Sequence, residues 1–234
     1  MLTGLDLKLI ATASMIVDHM AWCFVDQGSW LGQLMHVLGR ISAPIMCFLV
    51  AEGYARTHSL WGYIRRLITF AFLSQIPFTL FIYGKIALFP LNMLFTLTLG
   101  LLAICTHDKI QCRFFRFLAL GAIMMTAMYG DWSFWAILFC LSFHVFRDDF
   151  RRQCISLSLL AVCLVALESL MDMQVGLGLI TALQRNLFQL GIVGCLPLIS
   201  EYGGSRGGTP YGRWFFYLFY PLHLLVLGIL RWFK

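Results

Sequence analysis

Charge is scarce in this chain: Asp, Glu, Lys and Arg make up 12% of its 234 residues, against 60% that are hydrophobic. A soluble domain ordinarily carries about a quarter charged residues. This composition excludes a water-soluble domain, whose surface could not be clothed with so little charge. Acidic residues are scarcer still, 11 against 17 Lys and Arg, which leaves a formal net charge of +6. That excess does not indicate nucleic acid. The basic residues sit in short clusters between apolar runs of about 20 residues, the length that spans hydrocarbon, so the charge reads as membrane topology.

Also missing are a Cys-x-x-Cys pair, histidines at metal-ligand spacing, linkers, repeats and low-complexity segments. The eight cysteines, from Cys23 to Cys195, lie mostly inside apolar runs, so neither disulfides nor a metal are expected. The first apolar run, from Leu7 to Val25, is too long for a signal peptide. It contains Asp18 and His19 and ends without a small-residue cleavage site.

Apolar windows place spans at residues 7–26, 34–55, 63–83, 88–106, 114–130, 132–146, 154–172, 183–200 and 211–230. The expected fold is an all-α polytopic bundle of about nine transmembrane helices, one domain over residues 1–234. With the N-terminus cytoplasmic, twelve Lys and Arg fall inside and only Lys85, Arg231 and Lys234 outside, while Arg40 and Arg185 fall at membrane depth. That bias sets the orientation, and an odd helix count then puts the C-terminus outside.

A charged group inside a span costs several kcal/mol unless it faces protein or a watery cavity, so each is a functional candidate. Asp18 and His19 lie in the outer half of the first span, Arg40 in the outer third of the second and His223 near the middle of the last. The four share a comparable depth. Adjacent residues on a helix point about 100° apart, so Asp18 shares its face with Ser14 and Trp22, and His19 shares its own with Thr12 and Met15. Asp18 and Arg40 alone would make an ion pair that docks two helices. Two histidines beside them add groups that take and return a proton near neutral pH, which is what activation of an amine or hydroxyl requires.

Around Arg40, small residues at four-residue spacing and Pro44 predict close helix contact and a kink. Asn92, Thr96 and Gly100 form one polar stripe and Arg185 with Gln189 another. Interhelical hydrogen bonding is the plain reading, and a substrate contact at Asn92 is the functional one. Residues 129–132, with Asp131, lie at the outer rim as a candidate acceptor entrance. On the cytoplasmic side, the glycine-rich loop from Glu201 through Arg206 to Thr209 would let backbone amides approach a phosphate, with Arg206 supplying charge. Arg65 and Arg66 begin the third span on the same side, where a nucleotide-bearing donor such as coenzyme A would meet positive charge.

Several motifs then occur together and in order. Lys8 leads to Ile16-Val17-Asp18-His19, and Gly39-Arg40-Ile41-Ser42-Ala43-Pro44 leads to Ala51-Glu52-Gly53. Ser74-Gln75-Ile76-Pro77-Phe78 and Asn92-Met93-Leu94-Phe95-Thr96 follow, then Tyr202-Gly203-Gly204-Ser205-Arg206-Gly207 and Phe219-Tyr220-Pro221-Leu222-His223-Leu224. Over residues 5–230 the chain resembles the TraX family. One departure is the loop, Gly203-Gly204-Ser205-Arg206, where relatives carry an Asn-Gly-Lys-Arg type of sequence.

The resemblance implies a membrane acyltransferase of the bacterial inner membrane, similar to the F-pilin acetylase, with acetyl-CoA as donor. A pilin-like exported protein or a surface glycan would be the acceptor, and no nucleic acid or metal is implied. On that reading His19 is the general base, Asp18 orients an imidazole, and His223 assists or protonates the leaving thiolate. Arg40 stabilises the oxyanion or anchors Asp18. Arg206, Arg65 and Arg66 would bind CoA, and Asn92 and Asp131 the acceptor. Two other classes remain. A small proton-coupled transporter would use the same polar residues as a relay, although no inverted repeat is visible. A non-catalytic pilus or secretion assembly factor would use them for folding alone.

Overall fold

The computed structural model describes residues 1–208 and 212–232. Thr209 and Lys234 lie outside the described residues, as does the first position of the expected last span. The described chain is helical: α1 (Gly4–Phe24), α2 (Trp30–Gly39), α3 (Ser42–Arg56), α4 (Leu60–Tyr83), α5 (Met93–Lys109), α6 (Arg113–Ala127), α7 (Ser133–Val145), α8 (Phe150–Gln174) and α9 (Leu179–Asn186). A 3-10 segment (Leu187–Gly194), α10 (Cys195–Ser200) and α11 (Gly212–Trp232) follow. Two isolated bridges, Leu2 with Tyr202 and Leu91 with Gly130, are the extended pairings among the described residues.

Local chemistry sets the helix starts. Thr3 and Asp6 form a reciprocal capping box at α1, and Ser29, Ser59, Asn92 and Asp149 cap α2, α4, α5 and α8 with their side-chain oxygens. Gly84 ends α4 in the left-handed conformation at φ 67°, where a side chain would be strained.

Five segments are long and apolar enough to cross a membrane: Gly4–Phe24, Trp30–Arg56, Leu60–Tyr83, Phe150–Gln174 and Leu179–Ser200. The count of nine expected from apolar windows is therefore reached only if shorter helices also cross, since α5, α6 and α7 have 17, 15 and 13 residues. The kink expected in the span over 34–55 falls at Arg40 and Ile41, where the segment Trp30–Arg56 divides into α2 and α3. Pro44 offers no N–H to the turn before it, so helix continuity fails there. The carbonyls of Leu38 and Gly39 that the break frees accept from Ser14 Oγ at 2.6 and 3.1 Å. The run over 183–200 is similarly divided, because Leu187–Gly194 tightens to 3-10.

The chain folds as two compact units, each assembled from separated segments. Met1–Ile45 with Phe146–Gly207 form the first, which holds α1, α2, the start of α3, α8, α9, the 3-10 segment and α10. Its α1 buries Leu7, Ala11, Ser14, Asp18 and Ala21, one face at helical spacing. Met46–Val145 with Gly208–Lys234 form the second, where α4 packs on α5 and α11, and α5 packs on α6 and α7.

A buried Asp-His-Arg network as the candidate functional site

Asp18 belongs to the buried face of α1, and Gly39 of α2 is what lets that face close. A Cβ on Gly39 would lie 2.5 Å from Asp18 Oδ1 and 2.7 Å from its Cγ, so only glycine fits. The contact delivers two partners to one carboxylate. Arg40 Nη2 donates to Oδ2 at 2.7 Å, and His36 Nδ1 lies 2.9 Å from Oδ1. Trp22 Nε1 also donates to Oδ2 at 3.2 Å. A carboxylate paired with a guanidinium is ionised and only accepts, so His36 Nδ1 carries the hydrogen. Its Nε2 is buried and has no hydrogen-bond partner among the described residues.

His36 is 1% exposed, held between Trp22 and Phe188 with ring centroids at 4.6 and 5.2 Å. Phe188 also lies under the Arg40 guanidinium at 5.2 Å. The 3-10 segment brings Phe188 there because Gly191 meets the Val37 carbonyl of α2 where no side chain would fit. Beside it, Gln189 Nε2 donates to Glu168 Oε2 at 2.8 Å. The network can therefore orient an imidazole for proton transfer, which is the chemistry expected of Asp18. The imidazole it orients is His36, whereas His19, one residue on from Asp18, is half-buried.

Sequence reasoning missed His36 and Glu168. Both signals were present, an imidazole one helical turn before Arg40 and an acid inside the apolar run 154–172. Arg185, expected at membrane depth, is 60% exposed and lies 3.9 Å from Asp172.

The glycine-rich loop is docked rather than free. Gly4 N and Leu5 N donate to the carbonyls of Ser205 and Arg206 at 2.8 and 3.0 Å, and Gly203 N donates to Leu2 O at 2.9 Å. The loop thus offers carbonyls to the first turn of α1, and the Arg206 residue is exposed.

In the second unit, His223 is buried in α11, with Nδ1 3.0 Å from the Phe219 carbonyl and its ring stacked on Phe219 at 5.1 Å. Arg65 and Arg66 line a cavity of about 310 Å³ together with Gly62, Thr69, Phe70 and Trp214. Arg66 lies over the Tyr63 ring at 5.6 Å, and its Nε is buried without a hydrogen-bond partner among the described residues. Asn92 is 1% exposed and spends both amide hydrogens within the fold, on Ala71 O at 2.6 Å and Gln75 Oε1 at 2.9 Å. Asp131 accepts from Trp132 N at 3.0 Å through Oδ1, and its carbonyl accepts from Thr96 Oγ1 at 2.7 Å.

Helices of membrane length that bury an ionised carboxylate, a guanidinium and an oriented imidazole define a helical protein of the membrane class with a polar centre. Residues 4–231 match the family described as TraX protein, and the chain belongs to that family. It is similar to a probable fimbrial assembly protein FimC, serogroup H1, of Dichelobacter nodosus, 30% identical over 235 residues that cover 96% of this chain and 94% of the relative. No solved structure matches it.

Proposed function

We propose that the protein is a membrane-embedded acyltransferase that moves an acetyl group from cytoplasmic acetyl-CoA to an amine or hydroxyl at the outer face of the bacterial inner membrane. It would cross that membrane about nine times with its N-terminus inside. The observation that carries the reading is the His36 imidazole, oriented by Asp18, with a buried Nε2 that has no partner among the described residues. A group so placed accepts the proton of an attacking amine or hydroxyl as the new C–N or C–O bond forms at the thioester carbonyl. The C–S bond then breaks and the thiolate of CoA leaves with a proton.

Asp18 holds the imidazole and stabilises the imidazolium, and Arg40 anchors Asp18. His19 would return the proton, the role that the sequence also suggests for His223 of the second unit. Arg65, Arg66 and Trp214 suit the nucleotide end of CoA, because guanidinium groups pair with phosphates and an indole face stacks on a base. Arg206 would add charge on the same cytoplasmic side.

The acceptor class is set by a pilin-like exported protein or a surface glycan. A second reading, an assembly factor without catalysis, is favoured by the similarity to a probable fimbrial assembly protein of Dichelobacter nodosus. Purified protein in nanodiscs would be assayed for acetyl-CoA binding and slow CoA release, wild type beside His36→Gln and Arg66→Ala. CoA release lost in the His36 variant at undiminished binding supports acyl transfer. A folded protein with no acetyl-CoA affinity sinks it and brings the assembly role forward, and proton-coupled flux in proteoliposomes would identify a transporter.

A further inference from the structure

We propose that His107, Asp108 and His144 form a binding site for a divalent transition-metal ion of the zinc class, where the last turns of α5 and α7 meet. His144 Nε2 and His107 Nδ1 approach the same oxygen, Asp108 Oδ1, at 2.9 and 3.1 Å. The two imidazoles stand nearly perpendicular, 82° apart with centroids at 6.0 Å. One donor atom from each of the three residues lies within 4.8 Å of the others. His144 is 36 positions from Asp108 along the chain. The absence of local ligand spacing, which had argued against a metal, therefore does not bear on this cluster.

The helices that carry the donors are rigidly apposed. A Cβ on Gly100 of α5 would meet Cys140 Sγ of α7 at 2.6 Å, and Phe143 packs edge-on against Phe48 at 5.4 Å. Leu99 and Ala103 of α5 share a buried cluster with Ile137 of α7. The ligands thus sit on prearranged helix ends, and small ring movements would bring them to an ion.

Two imidazoles and one carboxylate are a borderline donor set that suits zinc, cobalt, nickel or ferrous iron and leaves coordination positions open. Calcium and magnesium want several oxygens, and one carboxylate does not supply them. The supporting contacts also fit. Tyr54 stands edge-on to His144 at 5.4 Å and holds that ring in place. His144 Nδ1 is buried without a partner among the described residues, so the polar contact of this imidazole is made through Nε2, at the point where an ion would sit.

The test is chelator-stripped full-length protein in nanodiscs, without an oligohistidine tag. Zinc would be titrated in competition with a chromophoric chelator, and cobalt followed by visible absorption. One ion per chain is expected. His144→Ala or Asp108→Asn should weaken binding at least about 10-fold, while His58→Ala, at an exposed histidine outside the cluster, should leave it unchanged. X-ray absorption of the cobalt-loaded wild type should show imidazole scattering, which keeps the proposal falsifiable if a ligand variant fails to fold. No stoichiometric binding by the wild type, equal affinity in folded ligand variants, or a cobalt-thiolate charge-transfer band would each overturn the assignment.

Discussion

Asp18 Oδ1 and His36 Nδ1 lie 2.9 Å apart across two helices, while the other carboxylate oxygen holds Arg40 at 2.7 Å. One buried acid thus positions a base and neutralises a cation. Removing it takes from His36 and Arg40 the acceptor they share in a mostly buried site. Asp18→Leu is expected to cost about 3–5 kcal/mol in chemical unfolding of the detergent-solubilised protein, the usual penalty for breaking a buried pair from one side. The double replacement Asp18→Leu with Arg40→Met should recover a large part of that loss, because neither member of the pair is left as an unmatched charge. Equal losses in the single and double variants would show that the pair contributes nothing specific.

Glycines give a paired prediction on stability alone. Gly39→Ala forces a methyl group into the Asp18 carboxylate, and the carboxylate is fixed by Arg40, so the expected cost is about 1–3 kcal/mol. Apart from the adjoining turns of α6, no atom of the described residues lies within 4 Å of where a Cβ on Gly121 would be. Gly121→Ala there removes backbone freedom from the unfolded chain and should stabilise by about 0.5–1 kcal/mol. Thermal unfolding in one detergent ranks both against the wild type, and a stabilised Gly39→Ala would mean that the two helices do not close as described.

Asp18 and Arg40 stood out in the sequence because ionised groups are rare in apolar runs, and the face that Asp18 shares with Ser14 and Trp22 is the one that packs on α2. His36 carries no obligatory charge, and its role depends on how α2 docks 18 residues later, which no periodicity encodes. Pro44 foretold a disturbance, but whether it bends or breaks a helix depends on a partner for the freed carbonyls, and Ser14 is supplied by another helix. The glycine-rich loop had the composition of a phosphate cradle, yet composition does not reveal which backbone groups face outward. Its carbonyls turn to α1. Hydropathy windows count apolar runs, and runs of 13–17 residues bury themselves in a bundle as readily as they cross a bilayer.

Asn92 separates a packing role from a substrate role. Its amide ties α5 to Ala71 and Gln75 of α4 while its oxygen caps Leu94 N at 3.1 Å. Asn92→Ala should leave these buried groups unmatched and cost about 2–4 kcal/mol, read as a lower yield of monodisperse protein. The fraction that folds should bind acetyl-CoA with wild-type affinity. A well-folded Asn92→Ala with a specific loss of transfer would instead place the amide on the acceptor.

Arg66 and Arg206 were both expected to meet the donor, and their surroundings differ enough to rank them. Arg66 has a buried Nε without a partner among the described residues, beside Phe70 and Trp214 on a cavity wall, so a phosphate there gains a charge-assisted bond in a site partly shielded from water. Arg206 is exposed, on a loop whose carbonyls are engaged with α1, and an exposed charge is screened by salt. Arg66→Ala and Trp214→Ala should each raise the Kd for acetyl-CoA about 10-fold or more, with the Arg66 effect shrinking for a donor analogue that lacks the nucleotide phosphates. Arg206→Ala should change the Kd less than about 3-fold at physiological ionic strength. Titration calorimetry on the three variants decides the ranking, and a reversed order would move the nucleotide from the cavity of the second unit to the loop of the first.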